Sequence, residues 1–259
     1  NYNMKADFDQ AAKNYDTHFT YSEIGKLQRK MVYGNLQNKL KNLKKILEIN
    51  CGTGEDAIWL AKQGFEVTAT DISEEMIAVA QSKSNGKNPN FKVLDINKIL
   101  EESEKFDMIF SNFGGLNCLT KSELELFLNS AKEVLSDNGK MCLVIMPKNT
   151  LWEPLYFLLK LDFKNAFRRK KEVVYANVEG EKVATYYYNP KDIVHLCQTN
   201  FEIVEAKPIG FFIPPSYLEP FFKNKKSLLY GLDILENKIK NWSFLSKFAD
   251  HYIITLQKK

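Results

Sequence analysis

Acidic side chains crowd a glycine turn near residue 50. Glu48 precedes Gly52-Thr53-Gly54, and Glu55-Asp56 follow it directly. A Gly-x-Gly between a strand and a helix lets the backbone turn tightly and approach a ligand closely. The ligand class is decided by charge. A dinucleotide site offers helix amides to a pyrophosphate, with a third glycine for close packing. Here Ala57 stands at that third position and carboxylates flank the turn. At ~4 Å and an effective dielectric of ~20, like unit charges repel by about 4 kcal/mol. Polyanions are disfavoured, and a ligand carrying a sulfonium and an ammonium group is attracted. S-adenosylmethionine has that chemistry.

Further candidates recur at intervals that alternating strands and helices would bring to one edge. Asp71, 17 residues past Gly54, can accept hydrogen bonds from two ribose hydroxyls, with Ile72 and Met76 next along. Asp95-Ile96 is placed for an adenine edge. Ser111-Asn112-Phe113-Gly114-Gly115 offers carbonyls for an amino group and open space for a substrate. Asn50 and Cys51 are expected to touch the cofactor through backbone. The four cysteines, widely spaced and without a C-x-x-C pair, suggest neither a zinc site nor a disulfide framework and read as reduced thiols, and no metal is expected.

The elements that must position these residues are legible in the hydrophobic pattern. Short apolar runs at 46–49, 66–70, 91–94, 106–110 and 140–146 alternate with helical stretches Glu55 to Gln63, Ser73 to Ser82 and Ser122 to Leu135. This predicts βαβ units and a Rossmann-like α/β core with a mostly parallel sheet. Ser73 reads as an N-cap, and Asp137-Asn138-Gly139 as a turn ending a helix. Phe8, Ala11, Ala12 and Tyr15, then Leu27, Met31 and Leu36, predict one or two helices over residues 4–40. Beyond Pro147 the pattern predicts a Trp152 to Arg169 helix, a hairpin around Glu179-Gly180 and a helix capped at Asn189-Pro190. A strand Phe201 to Ala206, a helix from Ser227 to Phe248 and a last strand Tyr252 to Gln257 follow.

The run Glu48-Ile49-Asn50-Cys51-Gly52-Thr53-Gly54 resembles motif I of the class I S-adenosylmethionine-dependent methyltransferases, usually E/D-x-G-x-G-x-G, with Asn50 at the first glycine. The resemblance continues through Asp71, Asp95-Ile96, Phe106-Asp107 and Leu135 to Lys140, covering roughly residues 40–147. It implies a seven-stranded sheet of order 3-2-1-4-5-7-6 with the final strand antiparallel. Phe8-Asp9-Gln10-Ala11-Ala12-Lys13-Asn14-Tyr15-Asp16 is similar to the N-terminal lid of small-molecule methyltransferases acting on malonyl carrier protein or quinone precursors. By that likeness Tyr15 closes over the methionine part of the cofactor. The expected domains are a lid at 1–40, a cofactor-binding core at 41–147, and a helix and hairpin insertion capping the active site, with the last strands, at 148–259.

Methyl transfer needs no enzyme nucleophile, so Cys51 is not one. His18 and Tyr15 are the catalytic candidates, both weak, since a lid histidine facing solvent is the plainer reading; His195 and His251 read as structural. Arg168-Arg169-Lys170-Lys171 suits a solvated helix end, an acidic carrier protein, a phosphate-bearing substrate, RNA or an anionic membrane surface. Tyr186-Tyr187-Tyr188 and Phe211 to Tyr217 suit an apolar substrate pocket, a core or an oligomer interface.

The first 150 residues carry 19 basic and 20 acidic side chains and 13 aromatics; the remaining 109 carry 17, 12 and 20. The second part presents rings and positive charge. A net charge of +4 without an added RNA-binding module argues against RNA, and no feature suggests DNA. No apolar run reaches the roughly 18 residues of a spanning helix, and residues 1–10 lack a signal-peptide pattern, so a soluble, cytoplasmic protein is expected. The leading expectation is O-methylation of a small apolar or aromatic molecule. An RNA or protein methyltransferase, a nicotinamide oxidoreductase and a non-catalytic cofactor-binding protein are the alternatives.

Overall fold

A computed structural model describes residue 9, residues 11–178 and residues 181–259, the side chains of Val178 and Glu181 excepted. Phe8, Gln10 and the Glu179-Gly180 turn lie outside the described residues. In chain order the elements are α1 (Ala12–Tyr15), a π-helical turn (Asp16–Thr20), α2 (Glu23–Gln37), β1 (Lys45–Ile49), α3 (Glu55–Lys62), β2 (Glu66–Asp71), α4 (Glu74–Lys83), β3 (Asn90–Val93), β4 (Phe106–Ser111), α5 (Lys121–Val134) and β5 (Leu135–Ile145). Then come α6 (Trp152–Leu159), α7 (Phe163–Ala166), β6 (Val174–Val178), β7 (Glu181–Thr185), α8 (Pro190–Cys197), β8 (Phe201–Ile209), α9 (Glu219–Phe222), α10 (Lys226–Ile239) and β9 (His251–Lys258).

Seven strands form one sheet in the order β3-β2-β1-β4-β5-β9-β8, and β6 and β7 pair apart from it. Counting only strands of the large sheet, this is 3-2-1-4-5-7-6, and β9 runs antiparallel to both neighbours. The doubly covered sheet explains the alternation along β1. Leu47 and Ile49 pack with Phe127, Leu128 and Ile193 on one face. Ile46 packs with Val32, Leu36 and Ala57 on the other, which helices α2 and α3 cover.

Register sets the site. Ile49 of β1 pairs with Thr70 of β2 and with Ser111 of β4, and Asp71 pairs with Val93 of β3. Asn50, Asp71, Asp95 and Asn112 therefore leave the sheet along one edge. They flank the crevice where the chain order reverses on either side of β1, the place where α/β sheets take ligands. Ser73 caps α4, its hydroxyl accepting from the Met76 amide at 3.1 Å.

Three expected elements and one residue differ. Helix α5 ends at Val134, and Asp137-Asn138-Gly139 lies in a bulge of β5: Leu135 pairs with Phe106 and Lys140 with Met108. The expected Trp152 to Arg169 helix stops at Leu159, because Leu161 takes a left-handed backbone (φ 58°) and Asp162 starts a new turn by capping Asn165. Helix α10 ends at Ile239, and a 3-10 segment, Ser243–Lys247, buries Leu245 and carries the chain to β9. His195, read from sequence as structural, is exposed on α8.

Candidate functional site

One cavity of about 510 Å³ opens at the carboxyl edge of β1 to β4 and runs beneath the β6–β7 hairpin, within the range of cofactor and substrate pockets. Of the residues expected from sequence, Tyr15, His18, Asn50, Cys51, Gly52, Asp71, Ile72, Met76, Asp95, Ile96, Asn112 and Phe113 line it. Glu48, Gly54 and Ser111 do not; each lies behind the lining.

At the sheet-edge half, Asn50 adopts φ 55°. Its side chain fits only because Gly115 has none: a Cβ there would lie 2.5 Å from Asn50 Cβ. Asparagine tolerates the left-handed region better than other non-glycine residues, so it serves where the motif usually has glycine. Gly52, at φ 52°, has nothing within 4 Å of where a Cβ would project, so its backbone borders open space. Gly54 differs: a Cβ would meet Phe91 at 2.7 Å and Ala80 at 2.8 Å. That glycine is a packing residue, which explains its absence from the lining. Asp71 Oδ2 accepts from the Gly52 amide at 2.8 Å and Oδ1 from the Ser73 amide at 3.0 Å. A carboxylate has about four acceptor positions, so each oxygen keeps one for a ligand. Burial raises the Asp71 pKa, and the backbone donors work against that rise. Asp95 caps the following 3-10 turn by accepting from the Asn97 amide at 2.9 Å. Burial pushes the Cys51 thiol well up, so it stays protonated.

The acids around the turn are not bare, which corrects the charge argument drawn from sequence. Arg29 of α2 is hydrogen-bonded to Asp56, which also accepts from Tyr33 Oη at 2.8 Å and Asn112 Nδ2 at 3.0 Å. Glu55 lies 3.3 Å from Lys83. Glu48 is 1% exposed beneath this cluster, with Oε2 unpartnered. Burial first, then Asp56 and Asp71, raise its pKa well above the carboxylate range, against the opposing effect of Arg29. Arg29 comes from a separate helix at no fixed spacing from the motif, so pattern reading missed it.

The N-terminal segment is latched over this half. Asp16 accepts from Thr53 Oγ1 at 2.6 Å and from Lys83 Nζ at 2.8 Å, and Asp9 accepts from Ser73 Oγ at 2.5 Å. Ala11, Ala12 and Tyr15 pack with Met76 and Val79 of α4. Burial pushes the Tyr15 phenol up to about 12, with Arg29 acting in the opposite sense. A row of rings then crosses the cavity: Tyr15 to Phe19 at 5.6 Å, Phe19 to Phe113 at 5.0 Å, Phe113 to His251 at 5.6 Å. Phe113 has φ 39°, a strained backbone at the end of β4.

The far half holds a buried ionic network. Arg169, 5% exposed, donates to Glu153 Oε2 at 2.8 Å and Asp250 Oδ1 at 2.9 Å, and Arg168 donates to Glu153 Oε1 at 3.0 Å. These arginines are structural members of the cavity wall; the reading of Arg168-Arg169 as a solvated helix end is overturned, because two buried carboxylates draw both guanidinium groups inward. Gln28 donates to Asp250 Oδ2 at 3.1 Å. His251 Nδ1 lies 3.1 Å from the same oxygen. Burial works against ionisation of Asp250, yet His251 and Arg169 hold its carboxyl well below the usual range. His251, read as structural from sequence, thus faces the cavity at the start of β9. Tyr187 and Tyr217 line the same half, and burial raises both phenols. Tyr188 instead enters the core and donates to the Leu119 carbonyl at 2.6 Å. Among the described residues no group of three or more His, Cys, Asp and Glu could hold a metal ion, and no helix is long and apolar enough to cross a membrane.

Comparisons with known proteins agree with this geometry. The family model described as a methyltransferase domain matches residues 46–139. A malonyl-acyl carrier protein O-methyltransferase from Bacillus cereus is 30% identical over 203 residues, covering 75% of this chain and 68% of the relative. An uncharacterized protein from Methanocaldococcus jannaschii is 27% identical over 231 residues, covering 84% of this chain and 86% of its own. A crystal structure from Pyrococcus horikoshii superposes with a TM-score of 0.62 at 19% identity, covering 95% of this chain and 99% of that one.

Proposed function

Because this chain belongs to the class I S-adenosylmethionine-dependent methyltransferases, we propose that it methylates an oxygen of a small apolar or aromatic acceptor. In this reading the cofactor occupies the sheet-edge half of the cavity and the acceptor the far half. Membership removes the nicotinamide and non-catalytic alternatives. The observation that carries the reading is the continuity of one cavity from the Gly52 turn, past Phe113, to the Asp250–His251 pair.

The residues present fit the cofactor. Asp71 has an acceptor position left on each oxygen, and the Gly52 backbone borders space that any side chain would fill. Asp71 is assigned the ribose hydroxyls, and Asp95 with Ile96 the adenine. The backbone of Asn50, Cys51 and Gly52 holds the aminoacyl part, with Asn112, Phe113 and Tyr15 closing round it; Ile72 and Met76 form the apolar wall. Bound there, S-adenosylmethionine supplies a methyl group on a sulfonium sulfur whose departure as a neutral thioether needs no acid.

The protein's work is then alignment, exclusion of water and care of one proton. Phe19, Phe113, Tyr187 and Tyr217 offer ring faces to an apolar acceptor. His251 Nδ1 lies against Asp250 Oδ2, so Nε2 is the ring nitrogen left to take the acceptor's hydroxyl proton, and the Asp250 carboxylate stabilises the imidazolium that forms. A carboxylate or phenolate acceptor would dispense with that step. The name of the Bacillus cereus relative supports oxygen as the acceptor atom. Ala176, Asn177, Val183 and Thr185 of the hairpin wall the far half, which supports a small acceptor over RNA or a folded protein. Residues 1–40 serve as the lid, 41–147 as the cofactor-binding core, and 148–259 as the cap together with the last strands.

Incubation with methyl-labelled cofactor and a panel of phenols, hydroxylated rings and carboxylic acids tests the reading. Label recovered as an ether or ester supports it. Label found only in RNA, or only on nitrogen of proteins, refutes it.

A further inference from the structure

The segment that roofs the far half carries more exposed apolar surface than a wall requires. Leu151, Leu155, Leu158, Leu159, Leu161, Phe163 and Phe167 are seven of the 22 exposed large apolar side chains of the described residues, within seventeen positions. Leu159 and Leu161 are each 77% exposed and Phe163 is 67%. Helix α6 is apolar on two sides: Trp152 and Tyr156 pack inward against the cluster of Leu218, Phe222 and Leu229, while Leu155, Leu158 and Leu159 face out. Leu161 keeps a branched apolar side chain at φ 58°, a conformation that favours glycine or asparagine. Scattered exposed leucines need no explanation, but a contiguous run of this density marks an interaction surface.

Charge selects the partner. Residues 151–171 hold six cations and two acids. Arg168 and Arg169 are balanced by Glu153 and Asp250 in the wall, and Asp162 caps Asn165. Lys160, Lys164, Lys170 and Lys171 remain exposed, interspersed along the segment with the leucines and phenylalanines. Lys160 lies 4.5 Å from the Tyr156 ring centre and Lys170 lies 5.1 Å from that of Phe167. Lysine is depleted in protein–protein interfaces, and leucine is under-represented among their hot spots. Exposed apolar side chains interspersed with lysines are the composition of segments that lie in the headgroup region of anionic bilayers.

We propose that the α6–α7 segment docks the protein on an anionic lipid surface, with Leu159, Leu161 and Phe163 entering the apolar layer and the exposed lysines resting on headgroups. This goes beyond the methyl-transfer reading and does not depend on it. Glu153 and Arg168 belong to the same segment and line the cavity, so docking presents the acceptor half towards lipid.

Cosedimentation with vesicles of phosphatidylglycerol and phosphatidylcholine in equal parts, and with phosphatidylcholine alone, tests the proposal. The protein is expected to bind the anionic vesicles, to release with rising salt, and to bind neutral vesicles weakly. Lys164→Gln, Lys170→Gln and Lys171→Gln together lower affinity on the order of a hundredfold, at about fivefold per cation. Leu159→Ser, Leu161→Asn and Phe163→Ser together lower it by at least about tenfold. All six positions are exposed, and asparagine suits the backbone at 161, so melting curves and affinity for S-adenosylhomocysteine stay as in the parent. Absence of binding to anionic vesicles overturns the proposal. So does a parent dimer that the apolar triple variant converts to monomers, which makes the patch a self-interface. Retention by an acidic carrier protein in place of vesicles overturns it equally.

Discussion

Replacing Asp71 with asparagine removes one charge at the point where two backbone amides and, in the proposed site, two ribose hydroxyls converge. In the native turn the Gly52 and Ser73 amides occupy one acceptor position on each oxygen, at 2.8 and 3.0 Å. In Asp71→Asn one oxygen becomes a donor, so one amide faces an amide hydrogen and one ribose hydroxyl loses its acceptor. The remaining oxygen accepts as a neutral group. Hydrogen bonds to a charged group contribute about 1.5–3 kcal/mol each, against about 1 for neutral ones. The net loss at the two ligand bonds is about 3 kcal/mol, on the order of a hundredfold in Kd. The misfit amide costs a further 1–2 kcal/mol or so of folding stability. Calorimetric titration with S-adenosylhomocysteine measures the first quantity and urea unfolding the second. A folded variant whose Kd stays within about threefold of the parent would mean that Asp71 does not hold the ribose.

Gly54→Ala combines φ 76° with a Cβ 2.7 Å from the Phe91 ring and is expected to cost about 1–3 kcal/mol in urea unfolding. His251→Asn should slow methylation of a hydroxyl acceptor by about 10²–10⁴ while affinity for S-adenosylhomocysteine is unchanged. Raising the pH until the acceptor ionises by itself restores the rate, and a rate that stays lost would place the role of His251 in folding. Asp250 has its folded pKa held below the unfolded value, so its contribution is fully present above about pH 4 and is lost as pH falls towards the folded value. Urea unfolding from pH 7 to pH 3 should therefore show falling stability. Asp250→Asn should flatten that fall and, by leaving Arg169 half-paired in the interior, lower stability at pH 7 by about 3–5 kcal/mol.

The sheet and its strand-edge residues were legible because they depend on local pattern. Apolar runs fix the strands, and parallel register then brings Asn50, Asp71, Asp95 and Asn112 to one edge without any tertiary knowledge. Asn50 in place of glycine was readable as a departure, and the left-handed backbone shows why asparagine serves. What the pattern could not supply was pairing across long separations. Asp56 looks like a bare carboxylate in sequence, yet Arg29, 27 residues earlier, is bonded to it. Arg169 and Asp250 are 81 residues apart and form one buried network, so the basic run was read as solvated. His251 gave no signal because its meaning comes from Asp250 and from the ring of Phe113, 5.6 Å away. Helix ends were misplaced where a single left-handed residue, Leu161, stops a helix that its apolar neighbours would continue.

A crystal structure of the protein with S-adenosylhomocysteine bound tests the division of the cavity most directly. The expected result places the ribose on Asp71, the adenine beside Asp95 and Ile96, and the sulfur near Phe113, facing the half that holds His251. A thioether whose adenine lies between Tyr187 and Tyr217, with Asp71 left unengaged, would contradict it.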